Sequence, residues 1–269
     1  MNKRILTLQD FSSIGRCSLT SAIPVLFAAG HEAVALPTAL YSTQTAIPDF
    51  TFKDLSDFLM PAYNHFKKID IKFDCLYTGF LGTISAVNSA IEIATDLKSK
   101  GTLIAIDPAM ADNGSLYVVF DNDYYQKMLS LVNLADILMP NFTEGKMLAN
   151  IKEDLQPTKE SAVAILKNLK KHGFEKVVLS GIADKDKCGT ATLYNGEITF
   201  QFNKRFDLNI HGAGDVLSSV FLATLLKGND FCQSVQKAVD FVHDCIDLTV
   251  KEGHNLKYGL VIERFLSYL

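Results

Sequence analysis

Residues 212–222 read Gly-Ala-Gly-Asp-Val-Leu-Ser-Ser-Val-Phe-Leu. The first three residues are small, and the run from Val216 on is apolar almost all round, as in a buried helix. A helix that begins on Gly212-Ala213-Gly214 aims several unpaired N–H groups at one spot. Small residues let an anion approach those groups closely. The helix dipole adds roughly half a positive charge at that end. The turn is therefore predicted to hold a phosphate, or the negative charge that develops during phosphoryl transfer. Asp215 stands at its mouth. Spacing alone leaves two readings: a base that takes the proton of an attacking hydroxyl, or a residue that merely caps or charges the helix start. No Gly-x-x-x-x-Gly-Lys-[Ser/Thr] occurs, so the turn is not a Walker A loop. It comes too late and lacks the third glycine of a Rossmann fingerprint.

Upstream, short apolar runs alternate with helical ones. Strands are predicted at Ile5–Leu8, Ala33–Leu36, Cys75–Thr78, Leu103–Ile106, Ile137–Met139 and Lys176–Ser180. Helices are predicted at Ser18–Ala29, with Pro24 as a kink and Gly30 as the stop, and at Lys53–Lys67, Ile84–Lys98, Tyr124–Val132 and Thr158–Lys171. Thr190–Tyr194 and Glu197–Phe202 flank Asn195-Gly196, which signals a two-residue hairpin. Three helical runs come after it: Val216–Leu226, Phe231–Val250 and Leu260–Tyr268. The pattern predicts a three-layer α/β/α sandwich with a mainly parallel central sheet and an antiparallel edge hairpin. No linker or repeat divides the chain, so a single domain over 1–269 is expected.

Hydrophobic residues make up 48% of the chain, enough for a large core. The net charge is −4 with dispersed Lys and Arg, which argues against nucleic acid as a partner. The 5 cysteines, none in Cys-x-x-Cys spacing, suit free thiols in a cytoplasmic protein. No signal peptide or membrane span is expected.

Gly-Ala-Gly-Asp before a buried helix, Asp107-Pro108, and Pro140-Asn141-Phe142-Thr143-Glu144 together resemble the ribokinase-like superfamily. Leu8-Gln9-Asp10, Gly15-Arg16 and Tyr41-Ser42-Thr43-Gln44-Thr45 look like its vitamin B6 branch, the pyridoxal and pyridoxamine kinases. The resemblance runs over essentially the whole chain. It implies that Asp215 is the base for the 5′-hydroxymethyl group of a B6 vitamer and that Gly212, Ala213 and Gly214 form the anion hole. It implies Asp107, Asn141, Glu144 and Ser180 for ATP, with Glu144 and Asp107 toward Mg²⁺. It implies Asp10 and Thr45 for the polar edge of the ring and Phe80 beside the ring. A monovalent cation is an optional addition, and relatives in this branch are usually homodimers. Physical chemistry points the same way: Asp10, Phe80, Asp107, Asn141 and Ser180 all come after predicted strands, where ligands of open α/β sheets lie. Each also has a plainer reading as a turn, a helix charge or core.

The chain departs from the branch in two places. Many B6 kinases carry serine where Asp10 stands, and an ionised aspartate can only accept hydrogen bonds and attracts cations. Met139 stands where some relatives carry threonine, so one hydroxyl contact to ATP is missing. Ala111-Asp112-Asn113-Gly114-Ser115 reads equally as a lid or as a solvated loop. Ala183-Asp184-Lys185-Asp186-Lys187 reads either as an approach to ATP or as a charged hairpin entry. Competing functions are a hydroxymethylpyrimidine kinase, whose relatives often carry cysteine in place of Asp215, a non-catalytic vitamer binder, and a dehydrogenase-like nucleotide binder.

Overall fold

The structure is a computed structural model that describes residues 2–208 and 210–269. The strands are β1 (Arg4–Ile14), β2 (Glu32–Thr43), β3 (Phe52–Asp54), β4 (Cys75–Thr78), β5 (Leu103–Ile106), β6 (Ala111–Asp112), β7 (Ser115–Leu116), β8 (Ile137–Leu138), β9 (Val177–Asp184), β10 (Lys187–Tyr194) and β11 (Glu197–Lys204). The helices are α1 (Leu19–Ala28), α2 (Ser56–Lys68), α3 (Ile84–Ser99), α4 (Asn122–Val132), α5 (Phe142–Leu148), α6 (Lys159–Lys171), α7 (Ala213–Leu226) and α8 (Phe231–Lys251).

Alternation along the strands builds the layers. Leu6 and Leu8 of β1, Leu76 of β4 and Ile104 of β5 face one core, covered by α2 to α6. Ile5, Cys75, Tyr77 and Ala105 face the other, covered by α1, α7 and α8. A period of two sends neighbouring residues to opposite faces, so strands buried on both sides read as unbroken apolar runs. Among the described residues the sheet has 9 strands in the order β11-β10-β9-β8-β5-β4-β1-β2-β3. Its middle is parallel, and the hairpin β10–β11 closes one edge antiparallel as expected. Asn195 and Gly196 hold φ of 51° and 80°, the positive values a type I′ turn needs.

Several elements differ from the sequence reading. The helix expected from Lys53 starts at Ser56, because Phe52–Asp54 pairs antiparallel with β2 and Asp54 accepts the Ser56 N–H at 2.9 Å. The helix expected over Leu260–Tyr268 is absent. Leu260, Val261 and Ile262 lie buried outside any helix, with the Val261 N–H donated to Thr249 Oγ1 at 2.9 Å, and only Leu266–Tyr268 makes a 3₁₀ turn. The segment 111–115 is a small hairpin, β6–β7, turning on Asn113 and Gly114 at φ of 51° and 85°. Lys185 (φ 55°) and Asp186 form the turn of β9–β10, so that segment enters a hairpin. Both β1 and β2 run on past the expected ends, with a register shift between Gln9 and Phe11. That irregularity brings Asp10 beyond the end of β4, where its N–H bonds the Phe80 carbonyl at 3.0 Å.

Candidate active site

Helix α7 starts as expected. Gly212 is its N-cap at φ +75°, and a side chain there would collide with the Arg16 carbonyl oxygen. Glycine is required on both counts. A side chain on Gly214 would meet no protein atom, so the turn is open on that face. The first amides of such a helix have no intrahelical acceptor, and the Val216 N–H is the first to return, to the Gly212 carbonyl at 3.2 Å. Asp215 does not cap its own helix: its Oδ2 accepts the Ser18 N–H at 2.9 Å, 197 residues away in the chain. Ser18 adopts φ 48° and ψ −129° to make that contact. A non-glycine residue there stores on the order of 1–3 kcal/mol of strain. Burial pushes the Asp215 carboxyl up to about 6, and the Ser18 N–H pulls against the shift.

On one side of Asp215 lies a cavity of about 390 Å³. It is lined by Asp107, Asn141, Glu144 and Ser180 together with the Gly212–Asp215 turn, so these predicted residues meet in one place. Asp107 accepts the Ala109 N–H at 3.2 Å and the Ser218 hydroxyl at 2.8 Å, the latter from the second turn of α7. Asn141 and Glu144 form a capping box on α5: Asn141 Oδ1 accepts the Glu144 N–H at 3.0 Å, and Glu144 Oε2 accepts the Asn141 N–H at 2.9 Å. The same pair reaches outward. Glu144 Oε1 accepts the N–H groups of Met110 and Ala111 at 2.7 and 3.3 Å, and Asn141 Nδ2 donates to the Ala111 carbonyl at 2.7 Å. The hairpin β6–β7 is thus tied down along its first strand, and Gly114 adds a bond to Thr143 Oγ1 at 3.0 Å. Ser180 is fixed by its N–H to the Pro140 carbonyl at 2.9 Å. Met139, at the departure from relatives, is buried and lines the same cavity.

Burial drives both Asp107 and Glu144 upward. Glu144 and then Asp215 repel the charge on Asp107, while three backbone N–H groups partly offset the shift on Glu144. Neither carboxylate has an ion-pair partner among the described residues. No group of three or more metal-type side chains gathers among the described residues either. The donor set suits Mg²⁺, a hard cation commonly held by one or two carboxylates, with waters and phosphate oxygens completing its shell.

Outside the lining of that cavity lie Asp10 and a packed aromatic cluster. Asp10 is 4% exposed and accepts the Ser12 hydroxyl at 3.0 Å. Burial lifts it to about 7; the Ser18 hydroxyl lowers it, the Asp215 charge raises it and the Ser12 hydroxyl lowers it again. Ser18 therefore bonds Asp215 through its backbone, and its hydroxyl bears on the Asp10 carboxyl. Phe80 packs among Tyr41, Tyr117 and Phe120, with ring centroids at 6.0, 6.2 and 5.2 Å. Thr45 lies partly buried in the turn after β2, and its hydroxyl has no partner among the described residues. Asp10, Thr45 and Phe80 do not line the large cavity.

Sequence reasoning missed Tyr41, Tyr117, Phe120 and Ser18. Tyr117 links the cavity to the aromatic cluster. It touches Phe80, lines the cavity, and has its phenol pushed up by burial, then by Glu144, Asp112 and Asp107. The Asn113-Gly114 pair, a hairpin signal like Asn195-Gly196, could have placed Tyr117 after a turn. Nothing local in the sequence announces Ser18.

The sequence model of the phosphomethylpyrimidine kinase family matches residues 17–259. A crystal structure from Bacteroides thetaiotaomicron, of a protein provisionally described as a phosphomethylpyrimidine kinase and in a form with pyridoxal, is similar at TM-score 0.92 and 29% identity, over 100% of this chain and 96% of that one. Pyridoxal kinase from Lactobacillus plantarum is similar at TM-score 0.88 and 28% identity, over 99% of this chain and 96% of its own. The hydroxymethylpyrimidine/phosphomethylpyrimidine kinase of Haemophilus influenzae is 24% identical over 262 residues, 94% of each chain.

Proposed function

The chain belongs to the phosphomethylpyrimidine kinase family, within the ribokinase-like superfamily that also contains the pyridoxal kinases, and on that premise we propose that it phosphorylates the 5′-hydroxymethyl group of a B6 vitamer with ATP. One observation carries the reading. Asp215 stands at a helix-start turn that lines an acidic cavity, and the buried Asp10 carboxyl and the aromatic cluster of Phe80, Tyr41, Tyr117 and Phe120 lie outside that cavity's lining, joined to it through Tyr117. A phosphate donor suits the cavity and a flat heteroaromatic ring suits the aromatic cluster.

In this reading Asp215 takes the proton from the hydroxymethyl oxygen as it attacks. The amides of Ala213, Gly214 and Asp215 stabilise the charge that grows on the transferring group. Asn141 and Ser180 hold the nucleotide, and Asp107 and Glu144 hold Mg²⁺, which neutralises phosphate charge when bound. Phe80, Tyr41 and Tyr117 enclose the ring, and Asp10 and Thr45 meet its polar edge. Exposed Phe11, Ile14 and Leu40 on the projecting ends of β1 and β2 give a second copy an apolar surface to cover, in keeping with a homodimer.

Asp10 sharpens the substrate. A protonated aminomethyl group beside it gains a charge-assisted hydrogen bond, worth roughly 1.5–3 kcal/mol or about ten- to a hundred-fold in selectivity. The expected order is pyridoxamine above pyridoxal. Steady-state kcat/KM for both substrates in wild type and Asp10→Asn tests this; an unmoved ratio removes Asp10 from the choice.

The second reading, a hydroxymethylpyrimidine kinase, is favoured by the family match and by the Haemophilus relative. A coupled assay with pyridoxamine, pyridoxal, pyridoxine and hydroxymethylpyrimidine separates the two. Turnover of hydroxymethylpyrimidine alone would reverse the assignment. Tight vitamer binding with no turnover of any of them would make the chain a binder.

A further inference from the structure

The C-terminal turn Leu256–Tyr258, with Gly259 after it, lies far from the catalytic residues in sequence and touches two parts of the site. Its first contact is with Arg16. The Arg16 N–H is donated to the Tyr258 carbonyl at 2.9 Å, and Arg16 and Gly259 form a parallel bridge. Gly259 is buried at φ +81°, and a side chain there would strike the Arg16 carbonyl oxygen. That is the same oxygen that a side chain on Gly212 would strike. The Arg16 carbonyl is therefore packed between Gly259 and the N-cap of α7. Ser18, two residues on, holds Asp215.

The second contact is with the loop after β2. Gln44 Nε2 donates to the Lys257 carbonyl at 2.5 Å. Gln44 immediately precedes Thr45, and the strand before it carries Tyr41. The turn itself is anchored from behind. Leu260, Val261 and Ile262 are buried, Val261 is bonded to Thr249 of α8, and the Arg16 guanidinium meets Glu263 at 2.6 Å. A segment held this firmly fixes what it touches.

We propose that Leu256–Gly259 is a positioning strap for the active site. Gly259 sets the anion-binding turn of α7 through the Arg16 carbonyl, and Gln44 ties the ring-side loop to the same strap. Both act through other residues and neither meets the reacting atoms. The Gln44 arm rests on the assignment of that loop to a vitamer.

The test is a split of kinetic constants. Wild-type turnover of a vitamer comes first, and its failure overturns the proposed function and not the strap. Gln44→Leu is expected to raise the vitamer KM by about five-fold, the loss of one ordinary hydrogen bond, with the ATP KM within two-fold of wild type. Gly259→Ala is expected to lower kcat at least ten-fold while ATP binding by calorimetry stays within two-fold, since the anion-binding turn shifts and the nucleotide's own contacts do not. Should Gly259→Ala fail to fold, the Gln44→Leu result decides. An unchanged vitamer KM in Gln44→Leu, or a folded Gly259→Ala with wild-type kcat, overturns the strap.

Discussion

At the scale of single residues, the chemistry turns on Asp215 and Ser18. Spacing left Asp215 open between a base and a residue that caps or charges the helix start; the contact to Ser18 removes the cap, while Asp215 remains an acidic residue in the first turn of α7. Replacing Asp215 with asparagine is expected to lower kcat by roughly 10²–10⁴ with ATP affinity largely kept, because a positioned base contributes about that much. Calorimetric ATP binding beside single-turnover rates measures both; a near-normal kcat takes Asp215 out of the base role. Its carboxyl, at about 6, must be ionised to act. The rate is therefore expected to fall on the acid side of about pH 6, and a kcat/KM profile flat down to about pH 5 would contradict this. Asp10, at about 7, titrates close by, so the acid limb belongs to the two together. The base reading of Asp215 was legible in the sequence, but its contact with Ser18 was not. Asp215 is held by the N–H of Ser18, whose strained backbone leaves no mark in a sequence.

At the scale of elements, the strands and most helices were readable, because buried parallel strands read as apolar runs and the helices carry a 3.6-residue period. The misreadings share a cause. Leu260–Ile262 is as apolar as a helix face but is not helical, and Val261 is bonded to Thr249, a contact no periodicity reports. Lys53 looked helical, yet Phe52–Asp54 is claimed by the edge of the sheet. The hairpin β6–β7 was hidden because its strands are only two residues each, although Asn113-Gly114 marks its turn. That hairpin hangs on Asn141 and Glu144. Asn141→Ala is expected to cost about 1 kcal/mol of stability, as the loss of a helix cap does. It should also raise the ATP KM and speed amide exchange in residues 110–116. Exchange unchanged in that segment would mean that the capping box does not hold the hairpin.

At the scale of the whole molecule, the three-layer sandwich places the carboxyl ends of β1, β4, β5 and β8 along one rim, and the site lies along that rim. Among the described residues no helix is long and apolar enough to cross a membrane. The rim concentrates Asp10, Asp215, Asp107 and Glu144, all shifted upward by burial. The folded chain therefore holds their protons more tightly than the unfolded chain does. The contribution of Asp10, Glu144 and Asp215 is full below about pH 4 and is lost as pH rises through about 6 to 7, and that of Asp107 has the same sign. Asp74, Asp96, Glu160 and Asp184 are shifted downward, and their contribution is lost only in more acid solution. The ligand-free protein is expected to melt lower at about pH 8 than at about pH 5.5, by roughly 2–4 °C for each kcal/mol involved. Mg²⁺ with ATP should raise Tm more at the higher pH. Calorimetry at both pH values checks the sign, and a Tm that rises with pH over this range would contradict it.

The central claim is that a B6 vitamer is phosphorylated at its 5′-hydroxymethyl group with Asp215 as base. Mass spectrometry and ³¹P NMR of the products formed from pyridoxamine and Mg·ATP measure this directly, with Asp215→Asn alongside. Pyridoxamine 5′-phosphate is expected from the wild type, and a rate at least about a hundred-fold lower from the variant. Wild-type protein that phosphorylates hydroxymethylpyrimidine and leaves every vitamer untouched would contradict the claim.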